Sequence, residues 1–169
     1  MPDQRTLRRA ARDKREGKAP STQAGEFVRE EMDHIREGKH GARSTKQAIA
    51  IGLSKARRAG VKLPPPKKGT TTAKTRTSAR RDAAAGRSST ARKKRPSAKR
   101  SRAVTKALRR EGRGAASKSA LSRQARTAAS KRSAASRSAS ARKAAKTKGP
   151  RQRAAAARKA ARTRARRRR

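Results

Sequence analysis

The sequence contains no cysteine, tryptophan or tyrosine, and Phe27 is its only aromatic residue. Without cysteine, the chain has no disulfide, no thiolate metal site and no cysteine nucleophile. No run of about 18 apolar residues exists either, so we expect no membrane insertion. The first residues, MPDQRTLRRAARDKREGK, lack the apolar centre of a signal peptide, and we therefore do not expect secretion.

Acidic residues are also scarce, above all in one part of the chain. The 169 residues carry 54 Lys and Arg against 10 Asp and Glu, which gives a formal net charge of +44. Residues 64–169, here called the tail, hold 38 of these cations and only two acids, Asp82 and Glu111. A segment of this composition repels itself and is neutralised only by a polyanion.

Large apolar residues are almost confined to the chain before residue 64, and the tail adds only Val104, Leu108 and Leu121. The remaining apolar content of the tail is alanine, whose methyl group buries too little area to hold a fold. We therefore expect a mostly α protein, with a small helical hairpin head and a long, largely disordered basic tail.

Three regions are predicted. Residues 1–20 form a basic N-terminal segment with a marginal helix. Residues 21–63, here called the head, form the helical hairpin. Residues 64–169 form the disordered tail, rich in Lys, Arg, Ala and Ser. We expect the tail to become partly helical only when bound phosphates screen its charge.

The two helices of the head have clear start and stop signals. Gly38 stands where a left-handed residue would end the first helix. Ser44 and Gln47 match a capping box at the start of the second, and Gly60 ends it. Six apolar residues are predicted to form the head core: Phe27, Val28, Met32, Ile35, Ile49 and Leu53. Because so small a hairpin is marginally stable, the same residues are candidates for a homodimer interface.

The segment STKQAIAIGLSKARRAG, residues 44–60, resembles a stretch found in small, basic, largely uncharacterised bacterial and phage proteins. That resemblance implies no particular activity. The tail is similar in composition to the C-terminal domains of linker histones of the H1 class and to bacterial H1-like proteins. This second resemblance implies compaction of nucleic acid.

Phosphate contacts are predicted for the most basic parts of the tail. Arginine outnumbers lysine there, and its fork binds a phosphate through two hydrogen bonds. Sequence readout is not expected, because it needs rigid side chains at base edges, and single-strand stacking needs aromatic residues. The predicted nucleic-acid-binding residues are Lys67, Lys68, Arg80, Arg81, Arg92, Lys93, Lys94, Arg95, Lys99, Arg100, Arg102, Lys106, Arg109, Arg110, Arg166, Arg167, Arg168 and Arg169.

Other constellations carry less weight. The only histidines, His34 and His40, could form a metal site with Asp33 or Glu37, but polar surface residues are the simpler interpretation. No catalytic arrangement can be assembled. We therefore expect a protein that is not an enzyme and has no metal site and no cofactor.

The second head helix offers an alternative mode of DNA binding, in which Lys46, Lys55, Arg57 and Arg58 would enter a groove. The acidic side of the first helix of the head is either a solvated face or a docking surface for a basic partner, including the tail itself.

The leading prediction is a bacterial, nucleoid-associated protein of the cytoplasm, which binds and compacts DNA without sequence preference by neutralising its phosphates. DNA is favoured over RNA as the partner. Two alternatives remain open at this point. One is an RNA- or ribosome-associated basic protein, and the other is an adaptor whose head binds a protein while its tail attaches to a polyanion.

Overall fold

The structure of the protein, a computed structural model, describes residues 2–88 and 97–167. The chain divides into two compact units, residues 1–124 and 125–169, with the boundary inside the sixth helix. The described residues form seven α-helices and one 3-10 turn: α1 (Gln4–Arg15), α2 (Pro20–Arg36), α3 (Thr45–Arg58), α4 (Ala73–Arg87), α5 (Ala98–Arg110), the 3-10 turn (Gly114–Ala116), α6 (Lys118–Ser130) and α7 (Ala134–Arg167).

Local sequence signals set the ends of α2 and α3. Pro20 occupies the first position of α2, where its missing N–H is not needed. Gly38, with φ 78°, ends that helix in the left-handed region. The Ser44 hydroxyl then accepts a hydrogen bond from the backbone N–H of Gln47 at 3.2 Å and so caps α3. Gly60, with φ 88°, turns the chain after α3.

Helix α2 packs against both α1 and α3, and two small cores result. The first core joins the three helices through Ala10, Ala24, Phe27 and Ala56, flanked by Leu7, Leu53, Val61 and Leu63. The second core lies at the other end of the α2–α3 pair and contains Met32, Ile35, Ala42, Ala48 and Ala116, flanked by Val28, Ile49, Ala115 and Leu121. Alanine contributes much of both cores, so the helices must approach closely to leave no voids.

The closest approach lies where α3 crosses α2. A Cβ atom on Gly52 of α3 would stand 2.7 Å from the Cα of Val28 and 3.1 Å from the carbonyl oxygen of Phe27. Both of those atoms belong to the backbone of α2 and cannot rotate away. Position 52 therefore admits only glycine at this helix separation.

The expectation of a long, largely disordered tail is wrong, because tail residues form helices and part of the tail packs on the head. Helix α4 lies against α3 with Ala79 buried. Asp82 accepts hydrogen bonds from the Ser54 hydroxyl at 2.6 Å and from Arg58 Nε at 2.7 Å. Helix α4 thus packs on α3 through small residues and one carboxylate. A count of large apolar residues does not reveal such a contact.

A second tail segment closes the far end of the head. The N–H of Gly41 donates to the carbonyl oxygen of Leu108 at 2.9 Å. The Thr45 hydroxyl donates to the carbonyl oxygen of Ala115 at 2.7 Å, and Arg36 Nε donates to that of Ala116 at 3.0 Å. These contacts use backbone carbonyl groups, which every residue type carries, so no sequence pattern could indicate them.

The remaining tail helices form without a large apolar face. Alanine has the highest helix propensity of all residues, and it is frequent in α5 and α7. Helix α7 is interrupted at Gly149, whose φ and ψ are 66° and 170°, and Pro150 follows the break. The prediction of helix only in the bound state underestimated this propensity. No described helix is both long and apolar enough to cross a membrane.

The tight crossing at Gly52 generates a prediction with a matched control. Gly52→Ala should lower the free energy of unfolding by about 1–3 kcal/mol, because the new methyl group forces α2 and α3 apart. Gly25→Ala places the same methyl group on α2 with nothing within 4 Å. It should raise stability by about 0.5–1 kcal/mol through helix propensity. Urea denaturation followed by circular dichroism measures both, and equal effects would contradict the crossing.

Candidate functional site

Helix α5 presents a cationic stripe to solvent. Lys99, Arg102, Lys106 and Arg109 follow one another at intervals of three or four residues, which places them along one face of the helix. Arg100 and Arg110 add two further cations, and all six side chains are exposed. The helix contains no acidic residue. The four cations at this spacing therefore form a linear array of positive charge.

Helix α7 is the longest cationic element of the described chain. It carries 13 Lys and Arg and no acid in 34 residues. Every Lys and Arg of α7 whose side chain the structure describes is exposed. The break at Gly149 divides these cations between two helical stretches, residues 134–148 and 150–167.

The other predicted nucleic-acid-binding residues are distributed along the tail. Lys67 and Lys68 are exposed in the connection before α4, and Arg80 and Arg81 are exposed on α4. Arg166 is exposed near the end of α7, and the backbone of Arg167 continues that helix. Six predicted residues lie outside the described residues: Arg92, Lys93, Lys94, Arg95, Arg168 and Arg169.

A further basic stripe on α1 was missed. Arg5, Arg8, Arg12 and Arg15 are exposed and recur at intervals of three and four residues. The opposite face of α1 packs on the head through Leu7 and Ala10. The spacing of the four arginines was present in the sequence and would have revealed this stripe.

The cations of α3, by contrast, are engaged within the chain. Lys55 pairs with two carboxylates of α2, and Arg58 pairs with Asp82 of α4. Arg57 is 7% exposed and donates to the carbonyl oxygen of Pro64 at 3.3 Å. Its burial lowers the pKa of Arg57 from the usual arginine value. Of the four cations considered for groove binding, Lys46 and Arg58 are exposed, and Arg58 is held in its pair with Asp82.

The acidic side of α2 is used by neighbouring helices. Glu26 pairs with Arg9 of α1 at 2.5 Å, and Lys55 of α3 lies 2.7 Å from Glu31 and 3.4 Å from Glu30. Glu30 and Glu31 are buried. These partners come from the first 63 residues, so the α2 acids hold that part of the chain together.

The residues predicted for the head core or for self-association lie between the helices. Phe27, Met32 and Ile35 are buried, while Val28, Ile49 and Leu53 are half-buried against the two cores. Packing within one chain already accounts for their apolar character. The homodimer stays a prediction.

Both histidines lie in a partly buried charge cluster at the C-terminal half of α2. Nε2 of His40 is 3.4 Å from Glu31 Oε1, and Nε2 of His34 is 3.4 Å from Asp3 Oδ2. The donor atoms of Glu31, His34 and His40 lie within 4.8 Å of one another, as do those of Asp3, Glu30 and His34. The carboxylate beside both rings is thus Glu31. The three-residue interval between Glu31 and His34 on a helix was the available signal.

The burial of Glu31 generates a test of this cluster. Lys55→Met should lower the free energy of unfolding by about 3–5 kcal/mol, because it leaves a carboxylate buried without its ammonium partner. Lys39→Met removes the exposed pair with Glu37 and should leave stability unchanged within error. Thermal and urea unfolding of both variants measure the difference. Equal stability of the two variants would contradict the role assigned to Lys55.

Comparison with known proteins gives one similarity. Residues 3–68 match a family of unknown function, DUF6496, which covers 66 of the 169 residues. The matched segment contains α1, α2 and α3 and ends before α4. No curated protein and no solved structure matches the chain. Over its first helices, the chain is therefore similar to a family whose activity is not established.

Proposed function

We propose that the protein binds DNA without sequence preference and compacts it, and that the tail helices form the DNA-binding surface. The observation that carries the proposal is the exposure of the cations on α5 and α7, two helices without any acidic residue. The tail has only two acids, and one of them, Asp82, is bound by Arg58. Nearly all of the tail charge is thus available to an external polyanion.

The two parts of the chain use their charges differently. Residues 1–63 carry 16 Lys and Arg against eight acids, and the acids of α2 pair with cations from α1 and α3. The tail carries 38 Lys and Arg against two acids. This division supports a folded part stabilised by its own ion pairs and a tail whose charge is directed to a partner.

The dimensions of α5 suit a DNA duplex. A helix of 13 residues is about 20 Å long at about 1.5 Å per residue. Duplex DNA carries one phosphate charge per about 1.7 Å, so α5 spans about 12 phosphates. Four cations along one face of a preformed helix meet those phosphates at a lower loss of conformational entropy than four cations on a coil.

Compaction follows from the number of cationic elements. Helix α5 and both stretches of α7 are separate arrays on one chain. When different arrays contact different duplexes, one molecule bridges them and reduces their mutual repulsion. Multivalent attachment also raises the overall affinity without any new type of contact.

DNA is the proposed partner because counterion release is larger for duplex DNA than for single strands. About 0.9 counterion is released per neutralised phosphate of the duplex, against about 0.7 for a single strand. The absence of tryptophan and tyrosine further disfavours stacking on unpaired bases. In a bacterial cell, this proposal places the protein at the nucleoid, in the cytoplasm.

The salt dependence of binding tests the proposed surface. The full-length chain should bind unrelated duplexes of equal length with equal affinity. If about ten phosphates are contacted, the log–log salt slope should be near about −9. The triple variant Lys99→Gln, Arg102→Gln, Lys106→Gln should reduce the magnitude of that slope by up to about 2.7. Fluorescence anisotropy over a range of sodium chloride concentrations measures the slope.

A second triple variant is the matched control. Arg29→Gln, Arg43→Gln, Lys62→Gln removes the same charge from exposed positions of the head that no binding mode above uses. It should leave the slope close to that of the unmodified chain. If both variants change the slope equally, net charge rather than the tail helices determines binding, and the proposed surface is wrong.

Crosslinking in cells tests the identity of the polyanion. After crosslinking, DNase treatment should release the protein from high-molecular-weight material, and RNase treatment should not. Release by RNase alone would replace the proposal with an RNA-associated function.

A further inference from the structure

We propose that Glu31, His34 and His40 bind a zinc ion, which fastens the loop after α2 to that helix. The three donor atoms lie within 4.8 Å of one another. Glu31 and His34 lie one turn apart on the same side of α2, and His40 lies in the loop that follows this helix. The left-handed turn at Gly38, with φ 78°, reverses the chain so that His40 returns beside α2.

The protonation of His40 is fixed by its backbone partner. Nδ1 of His40 lies 3.1 Å from the carbonyl oxygen of Gly41. A carbonyl oxygen can only accept a hydrogen bond, so Nδ1 carries the proton. In the neutral ring, the lone pair of Nε2 then faces Glu31 Oε1 at 3.4 Å. An imidazole held through its other nitrogen by a carbonyl group is the usual arrangement of a zinc ligand.

With a neutral His40 ring, Nε2 and Glu31 Oε1 are two acceptor atoms that face each other, and a cation between them removes their repulsion. The distance of 3.4 Å between His40 Nε2 and Glu31 Oε1 fits zinc well. With bonds of about 2.0–2.1 Å, two ligands of a tetrahedral zinc ion are about 3.3–3.4 Å apart. The donor atom of His34 lies within 4.8 Å of both of these atoms.

The side chain of Glu31 is fully buried, so water does not compete for its carboxylate. The residue is 0% exposed, and neither carboxylate oxygen receives a well-directed hydrogen bond from the described residues. Lys55 Nζ lies 2.7 Å from Oε2 and forms an ion pair with it, although not along a hydrogen-bond direction. That ion pair leaves Oε1 for the metal and orients the carboxylate.

The local charge also favours a divalent cation. The carboxylates of Asp3, Glu30 and Glu31 surround the two rings, and Lys55 forms ion pairs with Glu30 and Glu31, while Lys39 nearby is already paired with Glu37. With neutral histidines, the cluster has a net charge of about −2, which a divalent ion cancels. This cluster is negatively charged although the chain as a whole has a net charge of +44.

Two histidines and one carboxylate are a known ligand set for zinc, with the fourth position left to water or another oxygen. Imidazole nitrogen selects zinc and its neighbours among the transition metals over magnesium and calcium, which prefer oxygen. Asp3 groups with Glu30 and His34 rather than with Glu31 and His40, so the fourth position of the proposed site is left to water.

Cobalt(II) titration of the full-length chain tests the site, because the chain has no cysteine and no other histidine to give a competing signal. The protein is first freed of nucleic acid by nuclease and high salt, since phosphates also bind metals. We expect visible d–d bands that saturate at one cobalt per chain, that zinc displaces and that a chelator abolishes. Absence of a saturable spectrum would overturn the proposal.

Variants assign the ligands. His34→Gln and His40→Gln should each abolish the cobalt bands, whereas Glu37→Gln, an exposed carboxylate on the same turn of chain, should retain them. Circular dichroism verifies that each variant remains helical. If a histidine variant unfolds, the thermal stability of the unmodified chain tests the proposal instead. Its thermal midpoint should rise on addition of zinc and not of magnesium, and equal midpoints with and without zinc would overturn the proposal.

Discussion

The structure depends on the close approach of helix backbones at small residues. With one aromatic residue in the chain, bulky side chains cannot fill the space between separated helices. Gly52 lets α3 rest on the backbone of α2, and Gly86 lets α4 rest on the carbonyl oxygen of Arg57. Gly41 similarly meets the carbonyl oxygen of Glu111. Contact at these points gives alanine-rich cores the packing density that folded proteins require.

The two parts of the chain also differ in how their charged side chains are used. The acids of α2 point towards cations on α1 and α3, and they convert a basic sequence into a folded part with internal ion pairs. Buried pairs of this kind contribute modestly to net stability, but loss of one partner is strongly destabilising. The tail has too few acids for such pairing, and its helices therefore carry their positive charge on the surface. The proposed DNA binding and the proposed zinc site thus belong to opposite electrostatic environments of one chain.

The hairpin could be predicted because its signals are local. The cap at Ser44, the glycines at 38 and 60 and the apolar spacing of α2 act within a few residues of one another. The packing of α4 on α3 could not be predicted from large apolar residues, because its contact residues, Ala79 and Gly86, are small. The contacts of residues 108–116 use backbone groups, which have no sequence signature. Both omissions led to the same error, the disordered tail.

Composition by itself determined how much positive charge the chain carries and that most of it lies in residues 64–169, but it led to the wrong expectation that this tail is disordered. Spacing alone determined where the first helices begin and end. The tertiary structure decided which charges face inward, because only folding brings Glu31 to Lys55 and the two histidines to one carboxylate. The physical reason is range: helix signals act over one turn, whereas burial and ion pairing depend on residues that are distant in the chain.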